Sequence, residues 1–327
     1  MKIFSLYIPS LFLFLVCNNT ISSISQNEIP KVKLAQTYDL VVEKDIVYAK
    51  GLSHESINSP NANIIPLMLD VYFPDNDIKN RPVYLFIHGG GFSGGTKQQS
   101  HIINLANYYA SRGWVFISID YRLKKDKGTV PQEWLDYSLK VPKERISQFL
   151  AIYPAIRDTK AALRWVVANA DTYHINTDYI TVGGGSAGAI TTIAVGVSNQ
   201  EDFRDEINMK QDPTLATTNL DQSYQIKTII DLWGSKVALD GLEQIFGHQR
   251  FDRKDPSLFI AHGTLDDRVP YSSAEDLKSI YVANGVSLGY YPLKEKGHGA
   301  WKAMVDNKTL EELAFDFIVK QQHLVVE

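Results

Sequence analysis

Tyr179-Ile180-Thr181-Val182-Gly183-Gly184-Gly185-Ser186-Ala187-Gly188-Ala189 is the stretch on which the reading of this chain turns. A short β-prone run stops at glycines, a serine follows, and small residues lead into a helical stretch. Gly184-x-Ser186-x-Gly188 has the pattern of a nucleophile elbow. In such an elbow a serine sits on a tight strand-to-helix turn, and flanking glycines remove the Cβ atoms that would clash there. A plain Gly/Ser turn ahead of a helix carries the same letters. The reading therefore depends on whether the rest of the chain supplies a base, an acid and donors for an oxyanion.

Outward from the elbow, strand-like and helix-like segments alternate. Val83–Ile87 and Trp114–Ile119 are continuous apolar runs, as expected of strands buried on both faces. Helical patterns are predicted at Gln98–Arg112, Ala155–Ala170, Ala187–Ser198, Ser272–Asn284 and Thr309–Gln321. Further strands are predicted at Thr228–Trp233, Leu258–Ala261 and Ser287–Leu293. Ahead of these, Tyr38–Lys50 and Leu67–Phe73, separated by a turn-rich loop at Ser53–Asn63, read as an opening hairpin or meander. The alternation predicts an α/β fold, with a central, mostly parallel twisted sheet and helices on both faces. Ligands of such sheets gather at the carboxyl ends of the strands. One segment breaks the rhythm. Lys124–Tyr153 is too long for a simple connection, and it carries Trp134, Leu135, Tyr137, Leu139, Phe149 and Leu150. We read it as a cap or lid insertion (124–153) within a single domain spanning 26–327.

The parts a nucleophilic serine needs all follow predicted strands. His298, in Lys296-Gly297-His298-Gly299, is the candidate base. Asp266 is taken as its orienting carboxylate, and Asp267 is the alternative. In these roles His298 takes the Ser186 proton during attack and returns it to the leaving group, while Asp266 holds the imidazole tautomer and stabilises the imidazolium. The glycines of His88-Gly89-Gly90-Gly91-Phe92 let backbone N–H groups approach a substrate oxygen, and Ala187 N–H adds another donor from the elbow. Phe92, in the glycine loop, and Trp233, at a strand end, are candidate substrate contacts. His88 and His262 read as structural histidines, and His54, His101, His174, His248 and His323 as fillers.

On these residues the chain resembles the α/β-hydrolases of the esterase/lipase type that carry an HGGGF oxyanion motif, the group of hormone-sensitive-lipase-like esterases and carboxylesterases. The resemblance runs from about Leu67, with Leu69-Asp70-Val71-Tyr72-Phe73-Pro74, to the last helix. It includes Asp120-Tyr121-Arg122-Leu123, Gly184–Gly188 and His262–Pro270. It implies Gly90, Gly91 and Ala187 as oxyanion donors and hydrolysis of carboxylic esters, small-molecule or polymer-borne, through an acyl-enzyme with no cofactor. The chain order Ser186, Asp266, His298 is the order of that fold. The chain departs from the group in the length of the 124–153 insertion. The His262–Pro270 segment is also similar to serine peptidases of the prolyl-oligopeptidase type, without their propeller domain. A peptidase or amidase on the same triad is thus the second reading. A non-catalytic binding protein derived from a hydrolase is the third, and it predicts a damaged triad.

Composition narrows the remaining classes. The 327 residues carry a formal charge of −4 and no basic block, which argues against nucleic acid. There is no HExxH pair and no cysteine pair, and the glycine clusters are not read as a GxGxxG fingerprint with an acid at the expected distance, so neither a metal nor a dinucleotide is expected. Met1-Lys2, the apolar run Ile3–Cys17 and the polar segment Asn18–Ser25 resemble a secretory signal peptide (1–25). Cleavage after Ser25 predicts a secreted or periplasmic protein with no cysteine and no transmembrane span. Lipidation at Cys17, the chain's single cysteine, is the alternative, giving an anchored lipoprotein.

Overall fold

The structure, a computed structural model, describes residues 28–327. The leader 1–25, Cys17 and the cleavage point after Ser25 lie outside the described residues. A two-residue strand, β1 (Lys31–Val32), precedes a long hairpin of β2 (Leu40–His54) and β3 (Ala62–Pro74). The alternation follows as β4 (Arg81–Ile87), α1 (Ser100–Ala110), β5 (Val115–Ile119), α2 (Gln132–Ser138), α3 (Ile146–Ala168), β6 (Ile175–Gly185) and α4 (Ala187–Val197). It continues with β7 (Ile226–Leu232), α5 (Val237–Phe246), β8 (Ser257–Gly263), α6 (Ser272–Asn284) and β9 (Leu288–Leu293). A small hairpin, β10 (Met304–Val305) with β11 (Lys308–Thr309), then α7 (Leu310–Gln322) and β12 (Val325–Val326) complete it. Strand β12 pairs with β1, and Glu327 bridges Lys31 and Lys33 at 2.9 Å each, clasping the two ends of the described chain.

Eight strands form one sheet in the order β2-β3-β5-β4-β6-β7-β8-β9. The pairs β2/β3 and β3/β5 are antiparallel, and all pairs from β5 to β9 are parallel. Period-2 alternation along β4 divides the core. Val83, Leu85 and Ile87 join the apolar cluster under α3, α4, α5 and α6, whereas Tyr84 and Phe86 join the cluster under α1 and α7. Both faces are thus covered, which is why β4 and β5 read as unbroken apolar runs. Helix α7 begins with a capping box, Thr309 accepting from Glu312 N–H while the Glu312 carboxylate accepts from Thr309 N–H.

Three helices, α2, α3 and α5, differ from the sequence expectation. Helix α3 starts nine residues before the predicted Ala155 and runs through Pro154. Proline forfeits one ladder hydrogen bond, but Phe149, Leu150, Ala151, Ile152 and Tyr153 in the turn before it are all buried, and that packing holds the helix together. Half of the 124–153 segment is therefore helical, as α2 or the start of α3. Trp134 of α2 is fully buried, stacked on Phe149 at 4.7 Å and 5°, with its indole N–H donating to the Phe149 carbonyl at 3.3 Å. Helix α5 was not expected at all. Its Gly241 faces Trp134 and Phe149 closely enough that a Cβ there would sit 3.1 Å from the indole, so α5 closes against the α2–α3 wall. Among the described residues no helix is long and apolar enough to cross a membrane.

Candidate active site

The strands β4, β6, β7, β8 and β9 all end on one edge, and the loops that follow them meet there. Ser186 occupies the turn between β6 and α4 with φ 56° and ψ −118°. A left-handed φ at a non-glycine residue costs on the order of 1–3 kcal/mol and persists only where its surroundings enforce it. Here Ser186 N–H donates to the Leu232 carbonyl of β7 at 2.9 Å, and Ile190 N–H of α4 donates to the Ser186 carbonyl at 3.0 Å. Gly188 makes the turn sterically feasible, because a Cβ on it would overlap the Ile87 carbonyl oxygen of β4.

His298, in the loop after β9, places Nε2 2.9 Å from Ser186 Oγ and Nδ1 2.8 Å from Asp266 Oδ2. Asp266 follows β8. Its other oxygen, Oδ1, accepts the backbone N–H groups of Arg268 at 2.9 Å and Val269 at 3.0 Å. Burial alone would raise the Asp266 carboxyl. The Val269 N–H, the His298 ring and the Arg268 N–H outweigh it and hold the group below the usual carboxylate range, hence ionised. Asp267, the alternative acid, is exposed. His262 is fully buried beside the pair, its Nε2–H donating to the Val269 carbonyl at 2.9 Å, with Asp266 Oδ2 3.3 Å away. Burial pushes its imidazole down, towards the neutral form. Its place is to buttress the Asp266 turn.

The glycine loop after β4 lies opposite. The backbone N–H groups of Gly90, Gly91 and Ala187 donate to no other group among the described residues. Ala187 N–H opens α4, so the positive end of that helix dipole points at the same spot. Gly90 holds φ 120°, and a Cβ there would overlap the Gly94 carbonyl oxygen. Three other groups fix the loop. His88 Nδ1–H donates to the Gly89 carbonyl at 2.7 Å, and its ring stacks on Tyr121 at 4.3 Å. Tyr121 Oη–H donates to the His88 carbonyl at 2.9 Å. Gln148 of α3 donates to the Gly91 carbonyl at 2.8 Å. The Asp120–Leu123 motif thus has a positioning role: Tyr121 holds the loop, and Arg122 is locked to the buried Asp158 by a bidentate ion pair.

A cleft of about 870 Å³ opens over Ser186. Phe92 and Trp233 both line it, and both are buried in positive-φ conformations. Trp233 packs edge-on against Trp301 at 4.8 Å and 87°. The 124–153 segment and the start of α3 supply one wall through Val141, Arg145, Gln148, Phe149 and Ile152. Trp301 was not singled out from the sequence. An aromatic three residues past the candidate base was the available signal. His101, read as a filler, in fact lines the cleft, its ring stacked on Trp301 at 3.9 Å and 25°. Chemically, the arrangement offers a hydroxyl with a base in reach, a buried carboxylate behind the base, and three free N–H groups across the cleft. These are the elements of nucleophilic acyl transfer.

Comparison with known proteins follows the same lines. The sequence model of a family described as BD-FAE matches residues 69–142 and 135–240. Esterase LipC of Mycobacterium tuberculosis is 25% identical over 257 residues, covering 71% of this chain and 56% of its own length. The probable carboxylic ester hydrolase LipM of the same organism is 31% identical over 134 residues, covering 40% and 25%. The chain thus spans about half the length of the first of these relatives and a quarter of the second. Among solved structures, the apo form of Thermogutta terrifontis esterase 2 is 21% identical with a TM-score of 0.59, covering 88% of this chain and 97% of that one. The butyrate-bound form of the thermophilic esterase Est2 from that species gives 20% and 0.58, covering 78% and 90%. These likenesses show the α/β-hydrolase fold.

Proposed function

The chain belongs to the BD-FAE family, an esterase-type α/β-hydrolase group, and on that premise we propose that it is a secreted serine carboxylesterase. Ser186 Oγ attacks the ester carbonyl while His298 Nε2 takes its proton. The N–H groups of Gly90, Gly91 and Ala187 receive the oxyanion of the tetrahedral intermediate. His298 then protonates the departing alcohol, leaving an acyl-enzyme. Water, activated by the same imidazole, attacks the acyl-enzyme and restores Ser186. The observation that carries this reading is the 2.9 Å approach of His298 Nε2 to Ser186 Oγ inside an unbroken Ser–His–Asp chain. The names of the curated relatives, esterase and carboxylic ester hydrolase, support it.

The substrate is a small-molecule or polymer-borne ester. Its apolar part lies against Phe92, Phe149, Trp233 and Trp301. Arg145, Gln148, Lys236, Asp240 and Arg268 give the cleft a polar rim that suits a hydroxyl-rich alcohol part. Secretion rests on the leader, cleaved after Ser25. Sequencing of the mature N-terminus is expected to begin at Gln26, and a lipid-modified start at Cys17 would replace secretion by anchoring.

The test of the chemistry is Ser186→Ala. It is expected to abolish turnover of p-nitrophenyl acetate and labelling by a fluorophosphonate while leaving the melting temperature unchanged. Retained turnover in the folded variant overturns the assignment. Faster turnover of matched anilides than of esters by the native protein would favour an amidase.

A further inference from the structure

A second cavity, of about 490 Å³, lies against the first, and the two share a wall. The wall is the Trp301–His101 stack, whose two residues line both spaces. The second cavity sits on the α1 and α7 face of the sheet, beneath the β10–β11 hairpin. Its lining is mainly apolar, with Tyr84, Leu105, Tyr109, Leu232, Met304 and Leu310 around it. Trp301 stands directly beside the nucleophile. A Cβ on Gly185, the residue before Ser186, would lie 3.0 Å from the indole Cζ2. Edge contacts with Trp233 at 4.8 Å and Phe86 at 6.3 Å hold the indole in that position. On the other side of the stack, His101 Nε2 is buried with no hydrogen-bond partner among the described residues. The imidazole packs there as a flat face on the indole.

We propose that the second cavity is a subsite for the apolar chain of an ester, and that Trp301, backed by His101, is the partition that sets how long a chain the cleft accepts. The proposal rests on the reading of Ser186 as an ester-attacking nucleophile. An alkyl or aryl chain running from Ser186 towards the α1–α7 face meets the indole first. With the indole in place, the chain ends in the first cavity. With it removed, the chain continues into a space whose walls are already apolar, and burying each further methylene there is favourable. The chain belongs to either the acyl or the alcohol half of the ester, and the two halves are separable by experiment.

The test compares native protein and Trp301→Ala on two series: p-nitrophenyl esters from acetate to dodecanoate, and alkyl acetates of increasing alcohol length. Native kcat/KM is expected to fall steeply beyond short chains in one series. In Trp301→Ala the ratio of decyl to short-chain kcat/KM in that same series is expected to rise at least tenfold, with His101→Ala shifting it in the same direction by less. A uniform change across all lengths in both series overturns the proposal. If Trp301→Ala does not fold, Trp301→Leu carries the same test, because it keeps an apolar contact with Phe86 and Trp233 while vacating the stack. Calorimetric titration of decanoate and of decanol into Ser186→Ala, with and without Trp301→Ala, gives a second readout. At least tenfold tighter binding of one of the two supports the subsite, and unchanged binding of both overturns it. If the native protein hydrolyses neither series, the esterase reading fails, and the titration still decides the subsite.

Discussion

Replacing Asp266 by asparagine probes the proposed relay at its buried end, where the structure dictates the outcome in detail. The carboxylate accepts three hydrogen bonds: Oδ1 from Arg268 N–H at 2.9 Å and Val269 N–H at 3.0 Å, and Oδ2 from His298 Nδ1–H at 2.8 Å. Asparagine has one acceptor oxygen. Turning that oxygen towards His298 would set the amide NH₂ against two backbone donors, so it stays with Arg268 and Val269. The NH₂ then faces His298 Nδ1, which can only accept. The ring proton moves to Nε2, pointing at Ser186 Oγ, and the base can no longer take the serine proton. The charge that stabilises the imidazolium is lost as well. Such a change is expected to lower kcat about ten-thousand-fold, ~5.4 kcal/mol of transition-state stabilisation. Because both backbone donors keep their acceptor, thermal stability is expected to change by only about 1 kcal/mol. The assay is steady-state kcat on p-nitrophenyl acetate with a melting curve on the same sample. A folded Asp266→Asn variant within tenfold of native kcat would refute the routing of the proton through the His298–Asp266 bond.

Two further outcomes follow from single groups. Gly90→Ala is expected to lower kcat by about a hundred- to a thousand-fold, the effect of losing an oxyanion donor, because its Cβ drives the loop off the Gly94 carbonyl. Unchanged kcat removes Gly90 and Gly91 from the oxyanion role. Asp231, fully buried at the end of β7, accepts from Gly234 N–H at 2.7 Å with Oδ1, while Oδ2 has no partner among the described residues, and burial pushes its carboxyl up to about 7. The folded state therefore holds this proton more tightly than the unfolded chain, where the group titrates near ~3.9. Its stability contribution is complete below the unfolded value and is lost as pH rises through about 7. Asp231→Asn lacks that loss, so its melting temperature should gain on the native protein steadily from pH 4.5 to pH 8. A gap that does not vary with pH refutes the assignment.

The features encoded in local order were legible in the sequence. Val83–Ile87 and Trp114–Ile119 announced central strands because a strand covered on both faces needs apolar side chains at every position. The Gly184-x-Ser186-x-Gly188 turn was legible because a positive φ between a strand and a helix restricts which residues can flank it. Ser186, His298 and Asp266 were legible because each follows a strand of one parallel sheet, whose strand ends share an edge. The course of α3 was not, since Pro154 marks a boundary in any local reading and only burial of the preceding turn carries the helix through it. Helix α5 was hidden because its interior Gly241, a weak helix residue taken alone, matters for its approach to Trp134 and Phe149, about a hundred residues away. The choice between Asp266 and Asp267 fell to the tertiary structure as well: adjacent residues point different ways, and only Asp266 turns inward to the N–H groups of Arg268 and Val269 and to His298. The partition by Trp301 and His101 lies furthest from the sequence. Those residues are two hundred positions apart, and a stack of two rings between two cavities exists only once α1 and the loop after β9 have packed on the same sheet edge.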